Sequence, residues 1–425
     1  MNLLVVGGGG REHAIIKKLK ENPQVETIYA LPGNGGIAQD AVCVPSIGAK
    51  DIGKIVDFAK THAIDFAVVA PDDPLALGCV DQFHEAGIPC FGPDAKAARI
   101  EASKVFSKNL MKKYGIPTAR YEVFDDPAKA LAYLESASLP IVVKADGLAL
   151  GKGVLIPQNL QEARAAVKAI MEDKTFGDSG NEIVVEEFLT GPEVSVLAFT
   201  DGTAIAPMVS SMDHKRAGDG DTGLNTGGMG TVAPNPCYTP AAAQECMEKI
   251  FLPTLAAMRA EGCPFKGCLY FGLMITPDGP KVIEYNCRFG DPETQVVLPL
   301  LKTDLLTVMQ AVENETLGDL NVEWSGGAAA CVILASGGYP GGYEKGKALS
   351  IPADLPANVT VYHAGDKLDG DKLVTSGGRV LGVTAAGETL QDALRDAYAA
   401  AERIQFEGKY MRHDIGERAL RALEG

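Results

Sequence analysis

The sequence predicts a multidomain chain of α/β and α+β class. An open parallel sheet wound with helices spans residues 1–101, a larger α+β domain spans 102–325, and a small C-terminal α+β domain spans 326–425. Three observations carry this. At 425 residues the chain exceeds one ordinary core. In its first hundred residues, short β-branched runs alternate with helical patterns. After residue 101 the strand-like runs lengthen and glycine-rich stretches separate them, until the composition shifts again at "EWSGGAAACVILAS".

Taken in order, "LLVV" precedes a helical pattern from Arg11 to Lys20, and "TIYAL" precedes one from Asp51 to Lys60. "FAVVA" precedes Pro74 to Ala86, and "PCFG" precedes a helix beginning near Ala95. Such alternation requires parallel strands with crossover helices. "IVVKA", "EIVVEEF" and "EVSVLAF" are the strands of the central block, "DLLTVMQAVENE" is its last helix, and the C-terminal block ends in a helix over Leu390 to Ile404.

Composition narrows the class of partner. Lys plus Arg number 39 against 55 Asp plus Glu, a net charge of -16, which disfavours nucleic acid or an anionic membrane because both demand a basic face. The 9 cysteines contain no C-x-x-C pair, so neither a zinc knuckle nor a disulfide framework is indicated and a reducing compartment is expected. No stretch reaches the roughly 18 apolar residues of a membrane span, and "MNLLVVGGGG" has no basic region of the targeting type.

The glycine loops point to phosphate. "VVGGGGREHA" follows the first strand and opens a helix, where free amides and the helix N-terminus suit an anion. It is not a dinucleotide fingerprint: counted from Gly7 the third glycine falls on Glu12, from Gly8 on His13, and the second strand ends "YALPG" without the acid that holds a ribose. "PGNGG" with Asn34 and Gly35, and "APDDPL" with Pro71 and Asp73, follow the second and third strands, so all three loops share the carboxyl edge of one sheet.

"VVKADGLALGKGV" carries Lys144 at a strand end and Lys152 at the tip of a glycine-rich turn. It departs from a Walker A motif at Asp146 and Gly153. A lysine in an apolar strand needs a counter-charge, which phosphate would supply. In "VVEEFLTGPEVSV", Glu186, Glu187 and Glu193 flank Phe188 and Leu189, a pattern suited to a nucleotide base and its ribose but equally that of an exposed strand face. The polar stretch Ser210 to Gly230 offers Asp213, Lys215, Arg216, Asn225 and Thr226 to a zwitterionic or phosphorylated ligand. In "IEYNCRFGDPETQ", Glu284 and Asn286 are two apart on a strand and present oxygens to one face for a hard cation, with Arg288 beside them.

Together, "VVGGGGREHA", "VVKADGLALGKGV", "VVEEFLTGPEVSVLAFTDG", "DHKRAGDGDTGLNTGGMG" and "VIEYNCRFGDPETQ" resemble the glycinamide ribonucleotide synthetase family of the ATP-grasp superfamily. The likeness runs through the whole chain, including "GGYPGGYEKGK" and "GGRVLGVTAAGETL". It implies a Rossmann-like pre-ATP-grasp domain, an ATP-grasp domain with a mobile lid at about 119–190, and a C-terminal domain. The implied reaction joins glycine to 5-phosphoribosylamine with ATP, giving glycinamide ribonucleotide, ADP and phosphate in purine biosynthesis.

By family motif, Lys104 and Lys144 contact ATP phosphates, Gly151, Lys152 and Gly153 close over them, Glu186, Glu187, Phe188 and Leu189 hold adenine, and Glu193 takes the ribose. Glu284 and Asn286 match the metal positions, for Mg2+ or Mn2+. The substrate set comprises Gly9, Gly10, Arg11, Glu12, Asn34, Gly35, Pro71, Asp73, Asp213, Lys215, Asn225, Thr226 and Arg288, with Arg288, Lys144 and Asp213 as catalytic groups. A cytoplasmic monomer is implied, without nucleic acid or membrane as partner. The third loop departs from the family's GPE-x-PL at Ala70 and Asp73; the shorter acid implies altered geometry with retained function.

The rival readings are an ATP-grasp ligase using formate or bicarbonate, and a non-catalytic nucleotide sensor. Glu284, Asn286, Lys144 and Arg288 together argue against the sensor.

Overall fold

A computed structural model describes residues 1–148 and 153–424. Of the loop residues named above, Gly151 and Lys152 lie outside the described residues. Strands β1 (Asn2–Gly7), β2 (Thr27–Pro32), β3 (Val42–Cys43), β4 (Phe66–Val69) and β5 (Cys90–Phe91) form an all-parallel sheet in the order β3-β2-β1-β4-β5. Successive β1 side chains enter two different cores, Leu3 and Val5 one and Leu4 and Val6 the other. That two-sided burial is why the strand reads as an unbroken apolar run. Strand β3 was not anticipated, since two residues carry no periodicity.

The chain next builds β6 (Tyr121–Phe124), β7 (Ile141–Ala145), β8 (Val154–Leu155) and β9 (Ile183–Glu187), an antiparallel sheet in the order β6-β9-β7-β8. Leu134, Ile141, Val143, Val167, Ile183 and Val185 form a core confined to this segment.

There follow β10 (Glu193–Asp201), β11 (Ile205–Pro207), β12 (Met212–Asp213), β13 (Arg216–Gly218), β14 (Thr222–Asn225), β15 (Gly230–Ala233), β16 (Lys266–Thr276) and β17 (Gly279–Asn286). Four of these make the antiparallel sheet β11-β10-β16-β17, while among the described residues β13 and β14 pair only with each other.

The last block contributes β18 (Ala328–Ser336), β19 (Val359–His363), β20 (Asp366–Asp369), β21 (Lys372–Thr375), β22 (Arg379–Gly387) and β23 (Lys409–Tyr410). Its main sheet runs β12-β15-β18-β22-β19, so strands from both sides of residue 325 share it. Every residue of β18 is buried, and a strand so placed needs a partner along each edge. The helix Leu390–Arg403 lays Ala393, Ala397, Ala400 and Ala401 against the core of this block, small residues that permit close approach.

The "PGNGG" turn is where the first and last blocks meet. The Asn34 amide donates to the carbonyls of Gly8, His363 and Ala364 at 3.0, 2.8 and 3.2 Å, and its Oδ1 accepts from the Ile37 amide. A Cβ on Gly36 would fall 1.8 Å from Cγ of His363. Glycine is needed there because an imidazole from the C-terminal block occupies the space.

Candidate active site

A cleft of about 1020 Å3 opens between the β6-β9-β7-β8 sheet, the β17 strand end and the loops of the first and last blocks. Its floor is built by the pleat of β17. Tyr285 turns inward and its hydroxyl meets Thr254 Oγ1 at 2.9 Å, so Glu284 and Asn286, one residue to either side, turn outward into the cleft.

Four cations surround Glu284. Lys215 Nζ stands 3.9 Å from its Oε1, and Lys104, Lys144 and Arg288 line the same wall. Burial by itself pushes the Glu284 carboxyl up, but Lys215, Lys144, Lys104 and Arg288 outweigh it and hold the group below the usual carboxylate range. The site therefore presents an ionised carboxylate and an amide oxygen inside a positive rim. Among the described residues no cluster of three or more His, Cys, Asp or Glu could cage a metal alone. The donor set instead fits a hard cation that completes its octahedron with phosphate and water.

Lys144 leaves β7 with its Nζ 3.0 Å from the Ile283 carbonyl and 3.0 Å from Glu186 Oε1. Glu186 also pairs with Lys108 at 3.2 Å. Lys108 is buried; desolvation brings its ammonium down to about 8, against the pull of Glu186. Lys104 begins the helix Lys104–Tyr114, and its Nζ donates to the Gly147 carbonyl at 2.7 Å. The adjacent Asp146 carboxylate accepts from Ser103 Oγ and the Val105 amide, tying that helix start to the lysine-glycine loop. Gly153, Glu187, Phe188, Leu189 and Glu193 also line the cleft, and Lys215 reaches Glu193 at 3.6 Å.

Asp213, Glu293, Asp291, Arg379 and Arg11 also line the cleft. Burial and the neighbouring Glu293 push Asp213 well above the usual carboxylate range, opposed by Lys215. Asp291 pairs with Arg379 at 3.4 Å; burial raises its carboxyl, but Arg379 and Arg11 bring it below the ordinary value. Arg379 Nη1 also donates to the carbonyls of Gly227 and Asp291 at 2.8 and 3.0 Å, fixing the "NTGGMG" loop against the "GDPETQ" loop. Asn225 and Thr226 reach the cleft from that loop, although the Thr226 hydroxyl is engaged by Lys215 O at 2.9 Å and by the Gly228 amide.

Other residues named from sequence stand outside the cleft lining. Glu12 is buried, with one carboxylate oxygen accepting from the Gly9 amide and the other 2.7 Å from Arg11 Nε, so it caps its own helix. Asn34 and Gly35 support the C-terminal block, as a Cβ on Gly35 would fall 2.6 Å from the Lys367 backbone. Gly9 and Gly10 lie behind Asp291 and Gln295. Pro71 and Asp73 are also off the lining; Asp73 pairs with Lys50 at 2.7 Å, and its neighbour Asp72 faces the cleft.

Sequence reasoning missed Glu101, Asp72, Lys108, Asp291, Glu293, Arg379 and Arg418. Arg379 had a legible signal, a cation opening the apolar run "RVLGV", which is the argument applied to Lys144. Glu101 and Glu293 had none, because a buried acid is distinguished only by what packs around it.

Comparison with known proteins identifies a family over the length of the chain. Models of phosphoribosylglycinamide synthetase match in three parts: the N domain over 1–101, the ATP-grasp (A) domain over 102–294 and the C domain over 329–418. A phosphoribosylamine–glycine ligase of Caldanaerobacter subterraneus subsp. tengcongensis is 48% identical over 415 residues, covering 98% of this chain and 99% of that one. A bifunctional purine biosynthetic protein of Pichia angusta is 48% identical over 427 residues; the match covers 99% of this chain and 54% of the yeast protein, so this chain spans about half its length. The crystal structure of phosphoribosylamine–glycine ligase from Thermotoga maritima superposes with a TM-score of 0.85 at 36% identity, covering 98% and 100% of the two chains.

Proposed function

Because the chain belongs to the phosphoribosylglycinamide synthetase family, the ATP-grasp ligases of purine biosynthesis that join glycine to phosphoribosylamine, we propose that it makes this bond through glycyl phosphate. A carboxylate is a poor electrophile. In the proposed sequence a glycine carboxylate oxygen attacks the γ-phosphorus of ATP, an O–P bond forms, the bond to the β-phosphate oxygen breaks, and ADP leaves. The phosphoribosylamine nitrogen then attacks the acyl carbon, the C–N bond forms, phosphate departs, and the nitrogen's proton passes to Asp213.

The observation that carries this reading is the pair Glu284 and Asn286 within the rim of Lys104, Lys144, Lys215 and Arg288. Phosphoryl transfer demands little covalent help from the protein and much positioning and charge neutralisation. Lys104 and Lys144 meet the phosphates, and Arg288 meets the transferred group. Glu284 and Asn286 would hold Mg2+ or Mn2+, which supplies further neutralisation of phosphate charge. Glu186 to Leu189 receive the adenine and Glu193 the ribose. Asp213, Lys215, Asn225, Thr226 and Arg11 serve the glycine and phosphoribosylamine side, with the first-block loops behind them.

Glycyl phosphate hydrolyses in water, and the self-contained core of the β6-β9-β7-β8 sheet supports its movement as a lid over the cleft. Among the described residues no helix is long and apolar enough to cross a membrane. The proposed enzyme is a cytoplasmic monomer acting on small molecules, and the net charge of -16 disfavours nucleic acid or an anionic membrane as its partner.

The test is ADP release by the purified protein with Mg2+-ATP and phosphoribosylamine made in situ, with glycine, formate or bicarbonate added. Turnover with glycine alone, yielding glycinamide ribonucleotide, is the expected result. Turnover with another acid, or ATP binding without turnover, overturns it.

A further inference from the structure

The hairpin of β13 and β14 delivers Lys215, Arg216, Asn225 and Thr226 to the cleft, yet among the described residues it belongs to no larger sheet. All of Thr222–Asn225 is exposed, with Leu224 at 67%, and among the described residues the hairpin contributes nothing to any hydrophobic core. An isolated two-stranded hairpin is marginal in water. Something else must hold it.

That hold comes from the C-terminal segment 410–418, about 190 residues further along the chain. Arg412 is buried, its side chain 1% exposed. Its guanidinium binds Asp414 through two 2.7 Å contacts, donates to the Arg216 carbonyl at 3.1 Å and reaches Asp221 Oδ1 at 3.0 Å. Asp414 in turn accepts from the Gly220 amide at 2.8 Å, and Asp219 accepts from the His413 amide at 2.8 Å. Tyr410 donates to the Ala217 carbonyl, and Arg418 stands 3.3 Å from Asp221. At the base, the Gly416 amide donates to His214 Nε2 at 3.1 Å. Among the described residues, the hydrogen bonds from the last block to residues 216–221 thus come from 410–418, and Arg412 ties the first arm at Arg216 to the turn at Asp221.

We infer that Arg412 is a positioning residue for the ligation: it clamps the β13–β14 hairpin so that Lys215 and the Asn225–Thr226 edge present one fixed surface to glycine and phosphoribosylamine. The planar five-donor fork suits this task, because one group must satisfy an aspartate pair and a carbonyl in different directions. ATP is held by Lys104, Lys144, residues 186–189 and Glu193; none of these touches Arg412, although Lys215 stands 3.6 Å from Glu193. The clamp itself rests on geometry alone; its catalytic consequence rests on the ligase reading above.

The test uses the full-length protein and the variants Arg412→Gln, Arg412→Lys, Asp221→Asn and Tyr410→Phe. Amide hydrogen exchange within 216–226 is expected to quicken by about tenfold or more in Arg412→Gln, with β1 and β16 unchanged. The KM for glycine and for phosphoribosylamine should rise by about tenfold, while that for ATP, reached only through Lys215 and Glu193, should rise less. Arg412→Lys should recover part of the loss, and Asp221→Asn and Tyr410→Phe should shift the same constants less. Unchanged hairpin exchange in Arg412→Gln overturns the clamp. If that variant does not fold, unchanged exchange in both Asp221→Asn and Tyr410→Phe does so. Faster exchange with kinetic constants intact removes the positioning role. Parent enzyme without glycine-dependent ADP release sinks the ligase reading instead, and the exchange experiment still decides the clamp.

Discussion

Glu101 and Arg288 meet at the junction of the first block and the end of β17, Oε1 lying 3.2 Å from Nη2 while the other carboxylate oxygen accepts from the Cys287 amide at 2.7 Å. Burial alone would lower the proton affinity of the Arg288 guanidinium, but Glu101 and Asp72 raise it above its ordinary value. The acid therefore aims the arginine into the cleft and lets it stay charged there.

Removing that aim should cost rate before it costs binding. Glu101→Gln is expected to lower kcat by about 10- to 100-fold with little change in the KM for ATP, because misplacement of a reacting group by about 1 Å has that scale of effect. Glu101→Ala, which leaves a partly buried cation unpaired, should also lose about 3 kcal/mol of stability. Steady-state kinetics and urea titration read both, and full activity in Glu101→Gln would exclude an aiming role.

Glu284→Ala should abolish ligation and leave the chain folded, since this side chain is 33% exposed and faces the cleft. In Glu284→Gln the Mg2+ concentration for half-maximal turnover should rise by at least about tenfold, the scale seen when even an outer metal partner is lost. An active Glu284→Ala with ordinary Mg2+ dependence would remove this residue from the metal site.

His13 should make stability fall on mild acidification. Burial, opposed by Asp40 and reinforced by His363 and Lys17, brings its imidazole down to about 4 from 6.5. Between those values the unfolded chain takes a proton that the folded chain refuses. The contribution is intact above about pH 6.5 and declines toward pH 4 with a limiting slope of about 1.4 kcal/mol per pH unit. Asp213 and Glu101, whose carboxyls are raised, tilt the same range the other way. The measurement is therefore the difference in urea stability between parent and His13→Gln at pH 7, 6 and 5. A difference that does not change with pH refutes the assignment.

Two glycines should respond oppositely to alanine. Gly36→Ala drives a methyl into the His363 ring and should destabilise by about 1–3 kcal/mol, with loosening of the first block against the last. Gly53→Ala, in the helix Ile52–Thr61 with nothing within 4 Å of its Cβ, should stabilise by up to about 1 kcal/mol. Thermal melts of both variants settle the pair, and equal shifts would refute the packing account.

The sequence by itself determined whatever is local or periodic. The two-sided apolar run of β1, the alternation of Glu284, Tyr285 and Asn286, and the cation at the end of β7 were legible because strand period and the cost of a buried charge act within a few residues. The family resemblance drew on the same local strings. Only the tertiary structure decided which polar groups share the cleft. "PGNGG" reads as a ligand loop, yet Asn34 and Gly36 hold His363, 329 and 327 positions away in the sequence. Glu101 and Arg412 carry no sequence signal at all. Their roles come from partners brought together by folding, and in a low-dielectric interior it is the partner that decides whether a charge is a liability, a clamp or a guide for another charge.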